Sequence, residues 1–153
     1  MANGIIFSRV RRRLIDALYI DAMLIADEAR TYFDDGGRLE RDLLGPMERV
    51  SFSCESLKVT TRLMHIIAWL LTQRAVDAGE MAPREALDSS RRLGTPPYSD
   101  PATVAGLPQE ARALIANSID LYRRTARLDA TQLVDPIAES PARSMLKRLS
   151  VAF

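Results

Sequence analysis

From Ser51 to Ala78 the chain has no Pro or Gly, and its apolar residues follow a helical period until Gly79 stops it. On a wheel of about 100° per residue, two seams emerge. Cys54, Leu57, Thr61, Met64, Ala68, Leu71 and Ala75 form the first. Val59, Leu63, Ile66 and Leu70 form the second, with Ile67 between them. A helix at a protein surface needs an apolar stripe of about 100°, and this one spans roughly twice that. It therefore has to bury itself against two neighbours, in its own chain or in a second subunit. Pro46 suits the first helical position, where a missing donor costs nothing.

Two further helices flank it. The first is expected from Ser8, as N-cap, to Phe33, where Asp34-Asp35-Gly36-Gly37 stops it. Leu14, Leu18, Ile25, Ala29 and Tyr32 line one face, with Ile15, Ala22 and Phe33 at its edge. Ala17, Ile20 and Leu24 form a thinner stripe almost opposite, either incidental exposed surface or a homodimer seam. The last long helix is expected from Gln109 to Leu128, carrying Ala111, Leu114, Ile115, Ser118, Leu121, Tyr122 and Thr125 on one face. Arg38–Leu44 and Pro83–Leu93 read as short helical pieces. The segment 94–108, rich in Pro, Gly, Ser and Thr, reads as an extended loop. No strand-like alternation of useful length occurs. The expectation is an all-α three-helix bundle with a short extra helix, a Pro-rich loop between helices two and three, and a weakly structured tail. The bundle is assigned to residues 1–129 and the tail to 130–153.

Composition adds constraints. The chain of 153 residues is 47% hydrophobic and 27% charged, with a formal net charge of +1. It is long enough to bury a core and has no global basic field to gather nucleic acid. The basic cluster Arg9, Arg11, Arg12 and Arg13 splays around a helix and makes no single stripe. No apolar run approaches the ~18 residues of a membrane span. A single cysteine rules out an internal disulfide and suits a reducing cytoplasm.

Catalytic chemistry finds little purchase. Cys54 and His65 lie eleven residues apart on one helix, roughly 16 Å by its rise, against the ~3 Å a thiol–base pair requires. One histidine and one cysteine provide no recognised zinc spacing, and no glycine-rich phosphate loop exists. No enzyme, cofactor, metal site or small-molecule substrate is expected. Trp69 is the sharper feature: it falls among Glu55, Lys58, Arg62, Gln73 and Val76 on the polar face, with His65 one turn before it. Either Arg62, His65, Trp69 and Gln73 form a partner-binding surface, or Trp69 is covered by the 94–108 loop or the tail. The apolar tail residues Leu146, Leu149 and Phe153 are a second candidate contact.

The run CESLKVTTRLMHIIAWLLTQRAVDAGE resembles the signature of the alphaproteobacterial family that contains RcdA, the regulator of CtrA degradation. The resemblance implies a three-helix bundle that tends to dimerise and has a flexible tail. It also implies a non-enzymatic adaptor that tethers cargo, or further adaptors, to a ClpXP protease primed by a response-regulator-like protein in cell-cycle-linked proteolysis. Its partners would be the ClpX-type unfoldase complex, response-regulator-like proteins, cargo and a second copy of itself. The alternatives are a nucleic-acid-associated helical protein, which the charge balance disfavours, and a structural homodimer.

Overall fold

The computed structural model describes residues 2–134, 145 and 148–150. The long helices are α1 (Ala2–Thr31), α3 (Pro46–Asp77) and α5 (Gln109–Val134), with the short α2 (Arg38–Asp42) and α4 (Pro101–Ala105) between them. No strand occurs among the described residues, as expected of an all-α fold.

The boundaries follow from local chemistry. Pro46 occupies the first turn of α3, where its fixed φ and absent donor are tolerated. At the other end Gly79 adopts a φ of +75°, which a side chain would strain. Its amide bonds Val76 O at 3.1 Å and the Glu80 amide bonds Ala75 O at 2.9 Å, so two terminal carbonyls are satisfied in a Schellman arrangement. The first helix begins at Ala2 and does not wait for Ser8, since nothing in Ile5-Ile6-Phe7 breaks it. It ends in a π-helical turn over Tyr32–Gly36, closed by the Gly37 amide on Tyr32 O. That turn sets Tyr32 and Phe33 edge to face with ring centroids 5.1 Å apart and brings Phe33 within 5.3 Å of Phe52 on α3.

The core runs along the axis of the three helices. Ile15, Leu18, Ala22 and Ala29 from α1 meet Val59, Leu63, Ile66 and Leu70 from α3. Ala111, Leu114, Ile115 and Leu121 of α5 complete the layer. Ile15 and Ala22, expected at the edge, are fully buried, whereas Leu14 is largely exposed. The buried stripe is thus rotated slightly from its expected centre. Ser118 and Thr125 enter the core by turning their hydroxyls onto the carbonyls of Ile115 and Leu121.

The connection from α3 to α5 determines the topology. Side-chain pairs Gln73–Gln132, Trp69–Asp129 and Arg62–Ser118 show α3 and α5 running parallel. The Arg124–Asp21 pair and the meeting of the α1 and α5 ends around Val10 and Gln132 show α1 antiparallel to both. Residues 78–108 must therefore travel back along the whole bundle. The expected helix over Pro83–Leu93 is instead two 3₁₀ turns, Glu85–Leu87 and Ser89–Arg91. The expected loop 94–108 contains α4, where the Asp100 carboxylate caps the Ala102 amide at 3.1 Å and Pro101 starts the turn. The last helix runs unbroken through residue 130 to Val134, beyond its expected end at Leu128.

Candidate functional site

The polar face of α3 is buried. Arg62, Trp69 and Gln73 are each about 1% exposed, and Glu55 is 2% exposed. A partner surface on these residues is therefore not presented. Trp69 is buried, as the second alternative required, but the partner of its indole is Asp129 of α5 and not the 94–108 loop.

Three latches bind residues 92–99 across α3 and α5. At one end the Arg92 guanidinium forks onto Asp129, with Nε to Oδ1 at 2.7 Å and Nη2 to Oδ2 at 2.9 Å. The same Oδ1 accepts the Trp69 indole N–H at 2.9 Å, so the buried tryptophan has its polar atom satisfied. That carboxylate, acting through its bonds to the guanidinium, holds Arg92 above its ordinary range. In the middle, the Tyr122 hydroxyl donates to Gly94 O. Gly94 lies against the ring of His65, where a Cβ would come within 2.9 Å of Nδ1. Only a residue without a side chain passes at that point. His65 is half-buried beneath it, with Nδ1 unpaired. Burial, reinforced by the negative charge of Asp129, raises the Tyr122 phenol pKa.

At the far end, Arg62 donates to Ser118 Oγ at 3.2 Å, Pro97 O at 3.1 Å and Ser99 Oγ at 2.5 Å. The Ser99 hydroxyl donates in turn to Glu55 Oε2 at 2.5 Å, and Lys58 reaches Glu55 Oε1 at 3.0 Å. Desolvation lowers the Arg62 pKa, while the charge of Glu55 opposes the shift. A charged pair this deep is tolerated because hydroxyls and carbonyls satisfy the remaining donors and acceptors. These contacts are structural: they hold a strap.

The opposite side of α3 carries the unexpected surface. Cys54, Leu57, Thr61, Met64, Ala68 and Leu71, the first seam of the sequence pattern, face outward. Leu57 is 68% and Met64 64% exposed. Ala17, Ile20 and Leu24 also stand exposed on the neighbouring α1. Between the two helices, Arg74 sits 4.3 Å above the Tyr19 ring and 3.4 Å from Asp16. Among the described residues the wide apolar arc of α3 is thus only half covered. The polar residues that looked external fill the other side. Periodicity gives the width of an arc but not its direction; buried hydroxyl partners at Ser99 and Ser118, far along the chain, decided that.

Of the tail candidates, Leu149 lies on helical backbone and is exposed, whereas Leu146 and Phe153 lie outside the described residues. Cys54 is exposed. In the N-terminal arginine cluster, Arg11 donates to Gln73 Oε1 at 2.5 Å and Arg12 approaches Asp77 Oδ1 at 4.0 Å. Among the described residues no three His, Cys, Asp or Glu side chains converge as a metal site would require. No described helix is long and apolar enough to cross a membrane.

Comparison with known proteins agrees with this architecture. A search of curated proteins finds no match. The crystal structure of RcdA from Caulobacter crescentus CB15 is similar at 31% sequence identity and a TM-score of 0.65. The similarity covers 78% of this chain and 90% of that one. Residues 7–153 match the family described as "Protein of unknown function (DUF1465)". The chain therefore belongs to the DUF1465 family, and RcdA of Caulobacter is a relative in structure and in sequence.

Proposed function

We propose that this chain is a non-enzymatic, cytoplasmic adaptor that tethers cargo or further adaptors to a primed ClpXP protease in cell-cycle-linked proteolysis. The observation that carries the reading is the similarity to RcdA, which extends over 90% of that chain at 31% identity. An adaptor works by raising local concentration and needs only two separate contact surfaces. The outer face of α1 and α3 supplies one. On this reading Ala17, Ile20 and Leu24, continued by Leu57, Met64 and Leu71, form a homodimer interface. Val59, Leu63 and Leu70 of the second α3 seam lie in the core and are closed to a second subunit. The second surface is the tail around Leu149, directed to the unfoldase complex, its response-regulator-like partner or cargo.

The alternative of a nucleic-acid-associated protein gains less support, because Arg11 and Arg12 turn toward α3. Affinity capture from host lysate, read by mass spectrometry, tests the adaptor reading. Enrichment of the unfoldase and a response-regulator-like protein is expected. Recovery of nucleic-acid-associated proteins alone would overturn it.

A further inference from the structure

One end of the bundle holds an apolar groove of about 940 Å³. Its walls are the first turns of α1, through Phe7 and Val10, the end of α5, through Leu128, and Leu87 from the crossover. The volume falls within the about 300–1,000 Å³ common for ligand clefts. Two glutamines complete it. Gln73 Oε1 accepts from both Arg11 and Gln132, which fixes both amide orientations. That leaves Gln73 Nε2 and Gln132 Oε1 buried and unpaired. The groove thus offers an occupant an apolar lining, and each of its two glutamines keeps one buried polar atom without a partner among the described residues.

We infer that this groove is a peptide-docking site whose occupant is the chain's own C-terminal segment, residues 145–153. The segment supplies matching apolar chemistry: Met145, Leu146, Leu149, Val151 and Phe153 stand among Lys147, Arg148 and Ser150. Met145 and Leu149 each have helical backbone and stand 67% and 52% exposed. Continuity favours this occupant. Gln132 lines the groove and α5 ends at Val134, so the segment is tethered at the groove mouth. The intervening residues 135–144 can span up to about 33 Å, enough to turn back. Docking would withdraw Leu149 from external partners, and a partner taking the tail would free the groove. The regulatory consequence rests on the adaptor reading; the docking itself does not.

A tether this short sets an effective concentration on the order of 1 mM. If the free peptide binds with a Kd on the order of 0.1 mM, the tethered tail weakens its apparent affinity about tenfold. The test uses a fluorescein-labelled peptide of residues 143–153, full-length wild type, and full-length M145D/L149D. Anisotropy should show about tenfold tighter binding to M145D/L149D than to wild type. Adding Val10→Asp to that variant should abolish binding, with helicity unchanged by circular dichroism. Binding to neither protein, equal binding to both, or binding that survives Val10→Asp would overturn the inference. So would wild-type blocking that vanishes on dilution, because the occupant would then be a second copy's tail. No protease or cargo enters the assay, so its failure is separable from failure of the adaptor reading.

Discussion

Replacing Trp69 with alanine separates a buried latch from a partner surface. The side chain is about 1% exposed, packed between α3 and α5, and its indole N–H bonds Asp129. Truncating a buried Trp to Ala typically costs about 3–5 kcal/mol, combining lost transfer energy with a residual cavity. The hydrogen bond adds little to that loss. Asp129 keeps its fork to Arg92, so no carboxylate is orphaned and the polar cost stays near the ~1 kcal/mol of an ordinary bond. For a domain of this size, about 2–4 °C of Tm accompanies each kcal/mol, which gives a fall of roughly 6–20 °C. Trp69→Phe is the control. It keeps most of the apolar area and loses the N–H, so its Tm should fall by only a few degrees, about one-third as much. Thermal unfolding followed by far-ultraviolet circular dichroism measures both. Trp69 is the only tryptophan, so wild-type fluorescence should also be resistant to quenching by iodide. An unchanged Tm in Trp69→Ala, or free quenching in wild type, would refute the burial argument and restore Trp69 as an exposed contact.

Three further outcomes follow from other parts of the molecule. Gly94→Ala should loosen the strap and destabilise the fold by about 1–3 kcal/mol, because the new methyl would come within 2.9 Å of His65 Nδ1 and 3.2 Å of Cγ, so that the ring or the strap must shift; urea denaturation checks it. Leu24→Asp combined with Met64→Asp should yield monomer with unchanged helicity, since both side chains are exposed, and analytical ultracentrifugation would reveal a surviving dimer. Alkaline pH should destabilise the protein. Burial and the hydrogen bond to Glu40 raise the Tyr32 phenol pKa, and burial raises that of Tyr122. A raised folded pKa stabilises the neutral form, so this contribution is complete below the unfolded value of about 10 and is lost as pH climbs beyond it. Tyr32→Phe should flatten the decline in Tm above that pH, and an unchanged slope would contradict the assignment.

Periodicity and stop signals made the helical framework legible. The span of α3 follows from Pro46, an uninterrupted helical period and Gly79. The core of α1 was found within one step of its true centre, with Leu14 and Ile15 exchanging roles. Two local signals were present but masked by composition: Asp100-Pro101 opens a helix inside a Pro-rich stretch, and Asp88 caps a 3₁₀ turn through Ser90. The direction of the α3 polar face was not legible. Arg62, Trp69 and Gln73 look external by hydropathy, and their burial depends on partners 35 to 60 residues away. A helix wheel treats arginine as solvated, whereas here Ser99, Ser118 and Pro97 O solvate it inside the fold. The same blindness hid the outward seam of Leu57 and Met64, whose hydrophobicity reads as core until the third helix is seen to pack elsewhere.

The adaptor account is tested most directly by interferometry with purified components: immobilised full-length chain, the host ClpX-type unfoldase with its peptidase, and the response-regulator-like protein. The account predicts stable association with the protease only when the response-regulator-like protein is present. It also predicts that association survives Trp69→Phe, which leaves the strap in place. No association under either condition would contradict the account.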